Sequence, residues 1–494
     1  MIERSKYWAT WASDIPFNMD PGKLETALEK AFEHPPTDGQ REAMKHLSRF
    51  VAEREGQDVF ILKGYAGTGK TSLVSALVRV LPGFRTGTVL LAPTGRAAKV
   101  ISSYSGKAAA TVHRRIYRVF TSEDGQLRMS LQQNMYRNTL FLVDEASMIS
   151  DGGNGEQGMF SGSRLLEDLI TYVRSGESCN LVLIGDTAQL PPVGMEESPA
   201  LDTAYLQASY QVKIWEEELT EVVRQARYSG ILSNATDIRE MITKGKSSPP
   251  FFRLDSFQDV VSINGIDLED ALQQAFSSGE REDTVLICRS NKRANIFNKE
   301  VRQRILFYEA DLNAGDLIMV VRNNYFWLPE ESPAGFLANG DILEVLRVRK
   351  TQELYGFRFA DVQIRMIDYP EEKDMEVRVL LDSLWVNGPA MPWTEMKRLY
   401  DELMKDFSDL PSMAARRKSV RNHPCYQALQ IKFSYALTGH KSQGGQWKYV
   451  FIEQGYLTEN MLDKSFMRWL YTAVTRATVK LFLVNFSDKF FASR

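Results

Sequence analysis

GYAGTGKT, residues 64–71, follows the apolar run DVFILKG (58–64) and precedes the helical run SLVSALVRVL (72–81). The string satisfies GxxxxGK[ST] in full, and a strand before it with a helix after it is the context that gives such a string its meaning. A glycine-rich turn lets backbone N–H groups and the N-terminus of the following helix face phosphate oxygens. Gly64, Ala66, Gly67, Thr68 and Gly69 then form the cradle, Lys70 neutralises phosphate charge, and the Thr71 hydroxyl reaches Mg²⁺. The reading therefore starts from a nucleotide-binding α/β unit.

Outward from that loop, further short apolar runs are each bounded by Gly, Pro, Asp or Thr and followed by helical patterns: TVLLAP (88–93), NTLFLVDE (138–145) and NLVLIGD (180–186). Apolar runs of this length alternating with helices predict a buried parallel sheet. TVLICRS (284–290), YVFIEQ (449–454) and KLFLVNF (480–486) repeat the pattern, so a second α/β unit is expected. Between 305 and 425 the pattern changes to alternating runs, DLIMVVRNNY (316–325) and DILEVLRVRK (341–350), followed by charged helical sequence. That stretch is expected to be an insertion, a small β-barrel plus helices. A smaller insertion, 104–136, contains YRVFTSEDGQLRMSLQ (117–132), two strands around an acidic turn. Residues 1–34 are read as an extension.

Composition narrows the class. With 494 residues, 44% of them hydrophobic, the chain exceeds what one core serves, and at least two domains are expected. No apolar run reaches the roughly 18 residues of a membrane span, so a soluble, cytoplasmic protein is expected. Cys179, Cys288 and Cys425 lie far apart in sequence, which excludes a CxxC metal knuckle and argues against a disulfide framework. The formal charge of -3 gives no global sign of a nucleic-acid partner, because a phosphate-binding surface needs only a local basic stripe.

Two later strands end in acids. At the end of LFLVDEAS, Asp144 is placed to hold Mg²⁺ and Glu145 to polarise the attacking water. LIGDTAQLPPVG (183–194) ends in an acid followed by Gln189, placed to sense the γ-phosphate, and by Pro191 and Pro192, which stiffen the link beyond it.

This string of elements resembles the superfamily 1 helicases, in particular the RecD-like and Dda-like group that moves 5′ to 3′. The resemblance runs from about residue 35 to the C-terminus. PTDGQREAM (36–44) resembles the Q-type motif, in which Gln40 reads the adenine edge; APTGRAAKV (92–100) resembles motif Ia and ATVHR (110–114) motif Ib. Asp144 with Glu145 is similar to motif II and GDTAQLPPVG (185–194) to motif III. LTEVVRQ (219–225) is similar to motif IV and nominates Arg224 for the γ-phosphate; YALTGHKSQGGQW (435–447) resembles motif V, and LYTAVTRA (470–477) motif VI with Arg476.

The resemblance implies two RecA-like P-loop lobes: 1A over 35–198, carrying the 104–136 insertion 1B as a pin hairpin, and 2A over 199–304 and 426–494, carrying insertion 2B over 305–425. It implies ATP and Mg²⁺ as cofactors, with Gly444 also at the nucleotide. Strand contacts are expected from Pro93, Thr94, Gly95, His113, Thr438, His440, Lys441, Ser442 and Gln443, with Phe120 or Tyr117 as an apolar wedge at the duplex junction. His113 and His440 are equally readable as structural histidines. Gly439 departs from the family pattern, which commonly has a larger residue there, and Gly444 with Gly445 loosens the turn that follows. The implied partners are single-stranded and forked DNA, together with single-stranded-DNA-binding or recombination proteins. A functional monomer that does not associate with membranes is expected. An RNA-directed helicase, and a DNA-dependent ATPase switch that does not unwind, remain as alternatives.

Overall fold

The computed structural model describes residues 19–491 except 33, 54–57, 122–126, 153–163, 224–228, 247, 256, 279–280, 330–331 and 333. Strands β1 (Asp58–Gly64), β2 (Gly87–Ala92) and β3 (Ala109–Thr111) precede a two-stranded hairpin, β4 (Tyr117–Thr121) with β5 (Leu127–Leu131). After it come β6 (Thr139–Val143), β7 (Asn180–Gly185) and β8 (Lys213–Leu219). Apart from the hairpin, these strands form one parallel sheet in the order β3-β2-β6-β7-β1-β8.

Both faces of this sheet are covered, which is why its central strands are apolar throughout and do not alternate. One face packs Leu62, Leu90 and Leu142 against Leu73 and Leu77 of the Lys70–Val80 helix. The Pro21–Ala31 helix adds Leu24 and Leu28 to that same core, so part of the expected extension is integral to the first unit. The other face packs Ile61, Val143 and Leu183 against Leu166 and Leu169 of the Leu165–Arg174 helix. Each fully buried Leu or Ile contributes about 1.5–3 kcal/mol.

The second sheet contains β9 (Val260–Ile263) and β10 (Thr284–Cys288) from before the insertion, and β16 (Ala436–Thr438), β17 (Trp447–Glu453) and β18 (Ala477–Val484) from after it, in the order β16-β10-β17-β18-β9, all parallel. The insertion is a closed barrel of β11 (Leu317–Val320), β12 (Ile342–Leu354), β13 (Phe357–Met366), β14 (Met375–Leu380) and β15 (Leu429–Phe433). The Trp393–Asp406 and Met413–Arg421 helices pack on it through Leu399, Leu403, Val420, Phe357 and Phe359.

The α/β class with two parallel sheets, a hairpin and a barrel agrees with the sequence reading. Two segments fall on the other side of a boundary from where they were expected. Lys213–Leu219, expected in the second lobe, is the edge strand of the first sheet, paired along β1 from Asp58 to Gly64. Leu429–Phe433, also expected in that lobe, closes the barrel against β11 and β14. In both cases backbone pairing with neighbouring strands decides the membership, along all of β1 for the first segment and with three residues of β11 and two of β14 for the second, and residue type carries no trace of it. No described helix is long and apolar enough to cross a membrane.

Candidate active site

The carboxyl ends of β1, β6 and β7 meet the Lys464–Val474 helix of the second unit, and the motifs converge there. Gly67 and Gly69 take φ of 76° and 86°, the left-handed region in which a side chain is strained. The Lys70–Val80 helix that starts at this turn has no side-chain cap, so its first amides face outward over the loop. Lys70 Nζ donates to the carbonyls of Gly64 (2.6 Å) and Tyr65 (2.9 Å), and Thr68, fully buried, donates to the Tyr65 carbonyl at 2.8 Å. Gln40 caps its own helix, accepting from the Thr37 amide at 2.9 Å, and its Nε2 donates to the Thr68 carbonyl at 2.9 Å. The residue expected at the adenine edge therefore also buttresses the phosphate loop.

Asp144 and Glu145 stand at the end of β6. Asp144 Oδ1 accepts from the Glu145 amide at 2.9 Å and Oδ2 from the Tyr104 hydroxyl at 2.6 Å. Glu145, at φ 51°, turns toward the second unit, with its Oε1 3.5 Å from Arg476 Nη1. Burial pushes the Glu145 carboxyl up, and the Arg476 guanidinium opposes the shift. Arg476 is itself buried and held in place: Nε donates to the Thr472 carbonyl (3.1 Å) and Nη1 to the Gly445 carbonyl (3.2 Å). Arg224 lies outside the described residues.

Several residues not singled out from the sequence complete the junction, together with Gln443 and Gln189. Tyr471 Oη accepts from the Ala66 amide of the phosphate loop at 3.0 Å and donates to Asp186 Oδ2 at 2.6 Å. Asp186 is fully buried, and burial raises its carboxyl above the usual range. Leu190 N donates to the Thr472 hydroxyl (2.9 Å), and Gln443 Nε2 to the Leu190 carbonyl (2.6 Å). The Arg239 guanidinium sits 4.3 Å from the centre of the Tyr65 ring. Gln189 is buried with its Oε1 unpartnered and lines a cavity of about 400 Å³ with Asp186, Ser147 and Arg468. Tyr471 and Thr472 lie inside LYTAVTRA, so their address was legible. Their bonds depend on how two units separated in sequence are docked.

The expected strand-contact residues form a second group along the same cleft. Thr94 caps the Gly95–Ser105 helix, accepting from the Ala97 amide at 3.2 Å, with Pro93 half-buried before it. Gly95 packs so closely on the barrel that a Cβ there would lie 2.5 Å from Asp341 Oδ1 and 3.0 Å from the Tyr369 hydroxyl. Gly444, expected at the nucleotide, has Ala97 and Thr94 of the first unit as its nearest neighbours. Gly439 is explained by Trp469, whose ring would be 2.5 Å from a Cβ at that position.

Thr438 is half-buried and His440 exposed, whereas Ser442 donates internally to the Gly439 carbonyl at 2.8 Å. Lys441 Nζ is buried with no hydrogen-bond partner, and burial pushes its amine down to about 8. Burial also pushes His113 down to about 4, so at neutral pH this ring, beside Tyr117 with centroids 5.9 Å apart, is uncharged. Tyr117 is not free to act as a wedge: it is buried, and its hydroxyl donates to Asp168 at 2.6 Å. The Phe120 backbone pairs with Arg128 in the hairpin, and its side chain lies outside the description.

Residues 36–247 match the family model described as an AAA domain, and residues 433–484 match a UvrD-like helicase C-terminal domain. The chain is 27% identical over 294 residues to the ATP-dependent DNA helicase dda of Enterobacteria phage T4, covering 58% of this chain and 60% of that protein. It is 31% identical over 225 residues to the ATP-dependent RecD2 DNA helicase of Deinococcus radiodurans, covering 43% of this chain and 28% of that protein. This chain thus spans less than two thirds of the length of either relative. Among solved structures, Pif1 helicase from Bacteroides in complex with ADP-AlF3 and ssDNA gives a TM-score of 0.47 at 14% identity, covering 94% of this chain and 95% of that one. With motifs in the expected order across both matched regions, the chain is similar over these regions to the phage and Deinococcus DNA helicases.

Proposed function

We propose that this protein is an ATP-dependent DNA helicase that moves 5′ to 3′ along single-stranded DNA and separates duplexes at a fork. The observation that carries the reading is the junction of the two units at the nucleotide loop. Arg476 and Tyr471, on one segment of the second unit, reach Glu145, Asp186 and the Ala66 amide of the first. A nucleotide seated in that cleft makes lobe closure and nucleotide state a single variable.

Lys70 exchanges its two loop carbonyls for phosphate oxygens, and the uncapped helix amides add donors. Thr71 and Asp144 offer hydroxyl and carboxylate oxygens only, a hard donor set that suits Mg²⁺, which commonly binds through one or two carboxylates plus substrate phosphates. Mg²⁺, when bound, neutralises charge on the phosphates. Glu145 orients the attacking water, Gln189 reports the γ-phosphate to the Pro191–Pro192 segment, and Arg476 with Arg224 stabilises transition-state charge.

Pro93, Thr94 and Gly95 of the first lobe and Thr438, His440 and Lys441 of the second grip the strand backbone alternately as the cleft opens and closes. The β4–β5 hairpin, as the pin, and the barrel flank the duplex junction. Opening one base pair costs about 1–2 kcal/mol of stacking, well within one ATP. The activities named for the phage and Deinococcus relatives support this assignment.

The test is unwinding of matched duplexes carrying only a 5′ or only a 3′ single-stranded tail, with ATP and Mg²⁺. Unwinding of the 5′-tailed substrate alone is expected. Preference for the 3′ tail overturns the polarity, and stronger stimulation of ATPase by RNA than by DNA oligonucleotides overturns the substrate. DNA-stimulated ATPase without unwinding overturns the helicase in favour of a switch.

A further inference from the structure

Tyr104 belongs to none of the motifs, yet its hydroxyl is bonded to the carboxylate assigned to the cation. It donates to Asp144 Oδ2 at 2.6 Å. A phenol has one proton to donate, and here that proton is spent on the carboxylate. The ring is fixed from behind: Tyr104 packs half-buried against the core around Leu73, Leu77 and Ile101, and its carbonyl accepts from Ser75 Oγ at 3.0 Å. Ser75 stands one turn beyond Thr71 on the helix that follows the phosphate loop.

Tyr104 also occupies the last turn of the Gly95–Ser105 helix, whose N-cap is Thr94. One rigid helix therefore runs from the residues proposed to touch the strand to the residues proposed to hold the cation. Its N-terminal end is lodged against Asp341 and Tyr369 of the barrel through Gly95, and against Gly444 of the second unit through Ala97 and Thr94. A shift of the strand or of either element at that end is transmitted along the helix to the phenol.

We propose that Tyr104 is a positioning residue that restrains the metal site, competing with Mg²⁺ for Asp144 until strand binding at the other end of its helix withdraws the phenol. The proposal rests on the assignment of Thr71 and Asp144 to Mg²⁺ made above. In this protein, DNA stimulation of the ATPase then acts in part by lowering the Mg²⁺ needed to seat the nucleotide.

The experiment titrates Mg²⁺ against binding of a fluorescent ADP analogue, for the full chain and for Tyr104→Phe, with and without an oligo-dT strand. Without the strand, Tyr104→Phe should reach half-saturation at about tenfold less Mg²⁺ than the wild type, the scale of releasing a charged acceptor from its hydrogen bond. Adding oligo-dT should lower the wild-type value toward that of the variant and leave the variant unchanged. Strand affinity measured by anisotropy in EDTA should be the same for both. Ser75→Ala, which frees the Tyr104 carbonyl and spares the phenol, should move the Mg²⁺ requirement in the same direction by less, and serves if Tyr104→Phe melts early. An unchanged or raised Mg²⁺ requirement in Tyr104→Phe overturns the restraint, as does an undiminished response of the variant to oligo-dT. A wild type that shows no Mg²⁺-dependent nucleotide binding overturns the site assignment itself, which separates the two failures.

Discussion

Lys70 is the residue on which the proposed chemistry depends most directly. Its amine is held by two carbonyls of its own loop, so Lys70→Ala removes the phosphate's cation without opening a cavity in either core. ATPase should fall to background while binding of a single-stranded oligonucleotide, measured by anisotropy, stays within about twofold, because the strand groups lie on other loops. Asp341 gives a prediction in pH. Burial pushes its carboxyl up to about 8, against an ordinary value near 4. Between those two values the folded protein binds the extra proton, so stability attributable to this group falls as pH rises. Asp341→Asn keeps an oxygen for the Ala338 amide, now 2.7 Å away, and removes the charge. The variant should melt higher than the wild type at pH 8 and show little difference at pH 5, as read by thermal denaturation.

Among the elements, the Lys464–Val474 helix and the two residues that follow it join the units most densely. Arg468 pairs with Glu197 at 2.6 Å, Tyr471 bonds Ala66 and Asp186, Thr472 accepts from Leu190, and Arg476 lies beside Glu145. Tyr471→Phe keeps the buried ring and leaves the Ala66 amide and the Asp186 carboxylate without their shared partner. Losing a buried, charge-assisted bond of this kind costs about 1.5–3 kcal/mol, so kcat/KM for ATP should drop at least roughly tenfold while the fold persists. Full wild-type kinetics would show that the hydroxyl plays no part in closing the cleft. The hairpin is the complementary case. Replacing residues 119–129 by a short glycine-rich turn should abolish unwinding of a forked duplex and spare DNA-stimulated ATPase, because β4 and β5 form a sheet of their own.

At the scale of the whole molecule, the barrel is joined to the second sheet by continuous chain and to the first lobe by contacts only. Those contacts include Gly95 against Asp341 and Tyr369, Lys99 with Asp368 at 3.6 Å, and Arg114 over the Tyr369 ring at 5.1 Å. Gly95→Val would drive a branched side chain into Asp341 and Tyr369 and push the barrel away from the lobe. Strand affinity should weaken roughly tenfold, about 1.4 kcal/mol, with each lobe still folded by circular dichroism. An unaffected affinity would show that strand binding does not need the barrel seated on the first lobe.

Much of this architecture could be read before the tertiary structure. GYAGTGKT, the apolar strands ending at Asp144 and Asp186, and the switch to alternation after residue 315 fixed the class, because local periodicity and turn chemistry act over a few residues. The address of the nucleotide site was legible for the same reason. Three kinds of fact were not legible. Lys213–Leu219 and Leu429–Phe433 changed unit because strand pairing is a long-range choice that two similar sequences satisfy equally. Tyr117 reads as a free aromatic until Asp168, fifty-one positions away, accepts its hydroxyl. Tyr104 and Tyr471 look like ordinary helical aromatics, and only docking of helix on helix and lobe on lobe brings their hydroxyls to carboxylates. The sequence by itself determined which groups are present and on which local elements they sit. The tertiary structure decided which of them meet, since a hydrogen bond is specified at about 3 Å and no local pattern constrains distance between segments so far apart.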